Sequence, residues 1–218
     1  MDLAIGIDLG TSYSSVAWLR EDQPEVLADS EGNRTQPSVT SFLPQGGVAV
    51  GYAARARLAT DPYNTIYSIK RLIGRRLDEP EVRTAIANFP FAVVEGPSNH
   101  PVVEIRGERL SIPEASAYTL RQMKRIAEAR IGQPVDKAVI TVPANFNDTQ
   151  RESTRIAGRI AGLDVIRIIN EPTAASLAFG FGHGFNKLVA VYDFGGGTFD
   201  FTVLELRDRV YRVLSTAG

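Results

Sequence analysis

The chain has no cysteine, one tryptophan, two methionines and two histidines in 218 residues. Without cysteine, disulfides and thiolate metal sites are excluded, and a reducing compartment is compatible but not required. The histidines, His100 and His183, have no metal-ligand spacing. Charge of neither sign dominates: 24 basic against 25 acidic residues leave a net charge of −1, which argues against nucleic-acid binding by bulk charge. No apolar run approaches the roughly 18 residues needed to span a membrane. The N-terminus has no basic segment ahead of an apolar signal core, so the cytoplasm is the expected location.

What is present is a 44% hydrophobic chain, long enough for one large domain or two small ones. Its strongest signal is a short hairpin that occurs twice. Ala4–Leu9 leads through Asp8 into Gly10-Thr11-Ser12-Tyr13, and Val189–Phe194 leads through Asp193 into Gly195-Gly196-Gly197-Thr198. Each reads as an apolar strand, an aspartate, a glycine and hydroxyl turn, then a second strand. Two such turns suggest a duplicated domain with a cleft between its copies. The second copy has barely begun at Gly218, so the chain is expected to be incomplete.

The coarse order is strand-strand-strand (Leu3–Asp8, Ser14–Leu19, Glu25–Ala28), an irregular stretch from Gly32 to Arg109 read as an inserted subdomain, then alternating helix and strand. Ser111-Ile112-Pro113-Glu114 is a capping box for a helix with Leu120, Met123, Ala127 and Ile131 at helical spacing and Gly132 as its stop. Ala138–Val142, closed by Pro143, reads as a buried strand. Asn147 and Gln150 cap the next helix, with Ile156, Ala157, Ile160 and Ala161 as its buried stripe and Gly162 as its end. Val165–Ile169 is a strand, and Pro172 opens a third helix reaching about Phe181. Leu188–Tyr192, Phe199–Leu206 and Val210–Leu214 close the chain as strands. This alternation implies a mixed sheet covered on both faces.

Phosphates need close backbone N–H donors, and glycine lets the backbone come that near. Gly10 with Thr11 and Ser12, and Gly195, Gly196 and Gly197 with Thr198, can supply them; otherwise each is only a tight hairpin turn. No Walker-type loop occurs. Asp8 and Asp193 end apolar strands, where a carboxylate either caps its own turn or serves Mg²⁺, a hard ion that keeps most of its waters. Glu171 emerges where a strand ends and a helix begins, the place that lines clefts in open α/β sheets. It either positions a metal-bound water or accepts a proton, or else merely favours the helix dipole. Lys70-Arg71-Leu72-Ile73-Gly74-Arg75-Arg76 has three readings: a solvated face, a nucleic-acid patch, or a cation reaching a phosphate in phosphoryl transfer. Gly180-Phe181-Gly182-His183-Gly184 reads as a flexible connector. Trp18 and Tyr13 read as packing residues, although Tyr13 also lies within the first loop.

At these residues the chain resembles the nucleotide-binding domain of the seventy-kilodalton heat-shock chaperones, the DnaK-type proteins. The resemblance runs over nearly the whole chain. Its best stretches are Ile7 to Ser14, Gly32 to Thr35, Lys70 to Arg75, Val139 to Gln150, Arg167 to Ala175, Asp193 to Asp200 and Ser215 to Gly218. Sugar kinases and actin-like proteins share the hairpins but not the Lys-Arg-Leu-Ile-Gly-Arg or Asn-Glu-Pro-Thr-Ala-Ala runs in this form. Ser12 and Phe194 stand where the family more often has threonine and leucine.

The resemblance implies an actin-like ATPase (ribonuclease H-like) α/β lobe at 1–31 and 110–187. It implies an inserted α+β subdomain at 32–109 and the first strands of a second lobe at 188–218. Asp8 and Asp193 would hold Mg²⁺ largely through its water shell, Gly10 to Tyr13 and Gly195 to Thr198 would be the two phosphate loops, and Lys70 would reach the γ-phosphate. Glu171 would help position metal and attacking water, Thr198 and Asp200 would lie near the phosphate and a K⁺ site, and Pro143 with Arg151 would relay nucleotide state between lobes. The expected activity is ATP hydrolysis to ADP coupled to peptide capture and release, as in a stress-response chaperone. Its expected partners are unfolded peptides, a J-domain co-chaperone and a nucleotide exchange factor. That activity is expected of the intact protein; the isolated chain is expected to be weak or inactive, a non-hydrolysing nucleotide-binding or protein-interaction lobe, and the remaining alternative is an actin-like filament protein. Its closing strands are expected to expose an apolar face and to pair with a second copy of the chain.

Overall fold

The structure, a computed structural model, describes residues 3–21, 23–180, 187–196, 198–207 and 210–218. The expected connector after Gly180, with His183 and the last residue of the third helix, and Gly197 of the second loop, lie outside these residues.

The main sheet is built from β1 (Ala4–Leu9), β2 (Tyr13–Arg20), β3 (Gln23–Val26) and β4 (Gln36–Pro37), with two later strands added to its other side. In β1 the alternation is strict: Ile5, Ile7 and Leu9 are buried, while Gly6 and Asp8 take the opposite face. β3 begins two residues earlier than the sequence pattern suggests and is exposed throughout, as an edge strand can be.

Between β4 and the next strand of the main sheet lies the insertion. It contains β5 (Val39–Phe42), β6 (Val48–Val50), α1 (Tyr52–Arg55), β7 (Thr65–Tyr67), α2 (Pro80–Ile86), β8 (Ala92–Glu95), β9 (Pro101–Ile105) and β10 (Glu108–Ser111). These strands form two antiparallel three-stranded sheets, ordered β6-β5-β7 and β10-β9-β8. Ile66, Leu72, Ile73, Val82, Phe91 and Val103 fill a core of their own.

α3 (Ile112–Ile131) joins the two parts. Its capping box at Ser111 and Glu114 is formed on both sides, and Gly132 ends it in the left-handed region with φ of 80°. Ile112 and Ala115, in its first turn, belong to the insertion core. Leu120, Met123 and Ala127 belong to the main core under β1. One helix therefore packs both bodies into a fixed relation.

β11 (Lys137–Val142), α4 (Asp148–Ile160), β12 (Asp164–Asn170) and α5 (Glu171–Gly180) follow. β11 runs parallel to β1 and β12 parallel to β11, giving the order β12-β11-β1-β2-β3. The buried stripe of α4 differs from the expected one. Gln150, Thr154, Ala157 and Gly158 are buried, whereas Ile156 is 38% exposed because it falls on the opposite side of the helix. Gly158 lets α4 approach β12: a Cβ there would lie 2.2 Å from Val165 Cγ2.

The chain closes with β13 (Lys187–Phe194), β14 (Phe199–Arg207) and β15 (Val210–Ala217), an antiparallel meander that repeats the β1-β2-β3 order. Apolar α5 lies between the two sheets, packed against β11 and β12 on one side and β13 and β15 on the other. The other face of the meander carries Leu188, Tyr192, Phe194, Phe199 and Phe201, all exposed. An exposed apolar face on these strands is what the sequence suggests.

Candidate functional site

Parallel strands align their ends, and here the ends matter. Asp8 of β1 pairs in register with Thr141 of β11, and Val142 pairs with Asn170 of β12. Asp8, the Pro143 loop and Glu171 therefore leave the sheet at one edge, where open α/β sheets place their ligands. Thr141 Oγ1 donates to Asp8 Oδ1 at 2.9 Å. This orients the carboxylate and leaves its other oxygen free of that bond.

The first hairpin turns directly beyond Asp8. Gly10 has no room for a side chain, since a Cβ would lie 2.1 Å from the Tyr13 carbonyl oxygen. The loop is held from behind by the segment joining β4 to β5: Ser38 Oγ donates to Gly10 O at 2.8 Å and Ser38 N donates to Ser12 O at 2.9 Å. Tyr13 does not pack into the core as its type suggests. It is exposed at the mouth of the cleft, its ring 5.7 Å from the Arg55 guanidinium, which also donates to its hydroxyl.

The second hairpin faces the first. Asp193 and Asp200 sit opposite each other in the β13-β14 ladder, and Gly195 N donates to Thr198 O at 3.0 Å to close the turn. A Cβ on Gly196 would lie 3.0 Å from Ser12 Oγ, so the two loops approach within side-chain reach. Gly218 adjoins the same place, where a Cβ would lie 2.3 Å from Asp200 Oδ1.

Lys70 comes from the insertion. Its short 3₁₀ turn, Ile69–Leu72, buries Ile69 and Leu72 in the insertion core and leaves Lys70 aimed the other way. Lys70 Nζ donates to Glu171 Oε1 at 2.5 Å and lies 5.8 Å from the Phe146 ring. Arg151 fixes that ring's loop, donating from Nε to Phe146 O at 3.0 Å and from Nη2 to Ala144 O at 3.4 Å. Gly74 closes the seam between the basic run and α4. Its φ is 65°, and a Cβ would lie 2.5 Å from Gln150 Cα.

These elements enclose a cleft of about 510 Å³, the size of a small-molecule site. Its wall includes Asp8, the first loop from Gly10 to Tyr13, Lys70, Pro143, Glu171, Asp193, Gly195, Gly196, Thr198 and Asp200. So the structure brings the two hairpins, the metal candidates and the lysine to one place, and sets Arg151 just behind the Pro143 loop. Sequence reasoning passed over Phe146, Gly218, Arg55 and Ser38. Phe146 and Gly218 lie in stretches that carry the family resemblance, whereas Arg55 and Ser38 have no local signal.

Burial drives the Glu171 carboxyl above its usual range; Lys70 opposes this, and the charges of Asp8 and Asp193 add to it. Asp200 is raised for the same first reason, with Asp193 adding and Lys70 opposing. Burial, ahead of the neighbouring charges, is the main cause of both shifts. Among the described residues no three acidic or histidine side chains converge into a direct metal cage. Hard oxygen donors spread around a cleft suit Mg²⁺, which takes few protein ligands and keeps its waters.

Compared with known protein families, the chain matches the one described as Hsp70 protein, over residues 4–218.

Proposed function

The chain belongs to the Hsp70 family, as a chaperone nucleotide-binding domain with the actin-like ATPase fold, and from that premise we propose that it is of DnaK type and that its cleft binds and hydrolyses ATP. The observation that carries this reading is the meeting of two glycine hairpins and a buried lysine in one cleft. Loop N–H groups of Gly10 to Tyr13, and those of the second loop beyond Gly195, whose own amide closes the turn, take the phosphate oxygens. Lys70 turns part of its donor capacity from Glu171 to the γ-phosphate. Water attacks phosphorus as the bond to the bridging β-γ oxygen breaks, and Glu171 and Thr198 orient that water. Asp8 and Asp193, with Glu171, would hold Mg²⁺ through its waters, and the ion would neutralise phosphate charge. Asp200 would adjoin a K⁺ site.

In the same reading, hydrolysis is coupled to capture and release of unfolded peptides in a cytoplasmic stress response, with a J-domain co-chaperone and an exchange factor as partners. The Pro143 loop, held by Arg151, transmits nucleotide state. The exposed face of β13 and β14 supports self-association of this chain. Calorimetric titration with Mg²⁺-ADP, followed by single-turnover hydrolysis of ATP, tests the reading. Saturable binding with phosphate release supports it. Binding without release reduces the chain to a nucleotide-binding lobe, and no binding removes the function from this chain.

A further inference from the structure

Ser38 lies outside the cleft wall, yet it makes two hydrogen bonds to the loop that forms it and a third to Ser14 of β2, just beyond the loop. Its hydroxyl donates to Gly10 O at 2.8 Å, its amide donates to Ser12 O at 2.9 Å, and its Oγ lies 2.9 Å from Ser14 Oγ. A serine has one hydroxyl proton. With that proton given to Gly10 O, the Ser14 hydroxyl is the donor to Ser38. Ser14 is itself buried, so this partner is not replaceable by solvent.

The geometry has a direct consequence. In a trans peptide the C=O and the following N–H point in opposite directions. Drawing the Gly10 and Ser12 carbonyls back toward Ser38 therefore turns the Thr11 and Tyr13 amides to the other side, the side on which Gly10 to Tyr13 line the cleft. Behind the loop is a space of only about 20 Å³, lined by Ser38, Thr40, Lys70, Ser116 and Thr119 among others. Leu9, Ile66, Ile69 and Ala115 line the same space, so apolar side chains and hydroxyls back the loop together, and Ser38 is the residue there that holds its carbonyls.

We infer that Ser38 is the positioning residue of the first phosphate loop: by holding the Gly10 and Ser12 carbonyls, it presets the Thr11 and Tyr13 amides to receive phosphate oxygens. The inference rests on the cleft being a nucleotide polyphosphate site. Ser38 touches no substrate. It removes the reorganisation that the loop would otherwise undergo on binding.

The test compares wild type, Ser38→Ala and Ser38→Thr. Calorimetry with Mg²⁺-ADP and with adenosine is the first readout, and hydrogen exchange without ligand of the amide at position 38, which donates to Ser12 O, is the second. Expected in Ser38→Ala is about a tenfold loss of Mg²⁺-ADP affinity, the worth of one positioned hydrogen bond. Adenosine affinity should hold, the amide at position 38 should exchange faster, and Ser38→Thr should recover most of the loss. Equal loss for adenosine and ADP would mean general damage and would overturn the inference, as would unchanged ADP affinity. If wild type binds no ADP, the proposed function fails, and the exchange experiment still decides: unaltered protection of the amide at position 38 in Ser38→Ala removes the role of Ser38.

Discussion

Lys70 Nζ and Glu171 Oε1 lie 2.5 Å apart, although 101 positions separate them in the chain. Their side chains are only 8% and 16% exposed. Neither charge is favourable alone at that depth, so the insertion and the main lobe are tied by a pair whose members need each other. Removing the charge from one side should cost more than removing it from both. Lys70→Met is expected to destabilise the fold by about 3 kcal/mol, and adding Glu171→Leu should recover part of that loss. Urea denaturation of the wild type, both single variants and the double variant gives the coupling. Additive losses would show that the pair carries no energy. In single-turnover hydrolysis, Lys70→Ala should lower the rate by roughly 10² or more while nucleotide binding survives.

The raised Glu171 carboxyl makes a statement about pH. Its ordinary value is 4.5, and burial holds it higher in the fold, so the native state keeps this proton where the unfolded chain has lost it. The stabilisation linked to that proton is fully present below 4.5 and is lost as pH rises through the raised native value. Glu171→Gln has no proton to lose there. The stability of wild type relative to this variant should therefore decline with rising pH across that window. Denaturant midpoints measured at several pH values check this, and a flat difference would mean that Glu171 titrates at its ordinary value.

Glycine at two corresponding turns answers to different constraints. At Gly10 an added Cβ would strike the Tyr13 carbonyl oxygen at 2.1 Å, whereas at Gly195 the nearest atom, Thr198 O, is 3.6 Å away. Gly10→Ala must rearrange the backbone of the first loop, at a cost of about 2 kcal/mol or more, and should abolish phosphate recognition. Gly195→Ala fits in ordinary van der Waals contact, so its stability should stay within about 0.5 kcal/mol of wild type. Thermal melts and Mg²⁺-ADP titration distinguish the two. A tolerated Gly10→Ala would contradict the loop geometry.

The parts legible in the sequence are those whose physics is local. Both hairpins, the capping boxes at Ser111 and Asn147 and the stops at Gly132 and Gly162 each need only a few neighbouring residues. Ile156 shows the limit even there. Apolar character placed it in the stripe of α4, but the buried side is set by Thr154, Ala157 and Gly158, because β12 approaches closely enough to favour small residues. Ser38 was silent for another reason. A serine between two short strands has no distinguishing pattern, and its importance comes from contacts across 24 and 28 positions. The Lys70 and Glu171 pairing is of the same kind: each residue stood out alone, and only the packing of Ile69 and Leu72 beneath Lys70 shows why they meet.

The aromatic face of β13 and β14 carries several of the most exposed large apolar side chains among the described residues. Phe194 is 77% exposed, and the Tyr192 ring lies 4.6 Å from that of Phe199, so the side chains already form a cluster with water on one side. Pairs of this kind gain about 0.5–1.5 kcal/mol beyond area burial when they are enclosed, and a second copy of the same face would enclose them. The isolated chain is therefore expected to associate with rising concentration. Tyr192→Lys together with Phe194→Lys should shift it toward monomer, by charge repulsion across a self-complementary contact and by loss of apolar area. Sedimentation velocity over a hundredfold range of concentration reads this directly. A wild type that stays monomeric throughout would show that the cluster alone does not drive pairing. Association that survives both lysines would place the contact elsewhere, with the exposed Leu177 and Phe179 of α5 the next surface to change.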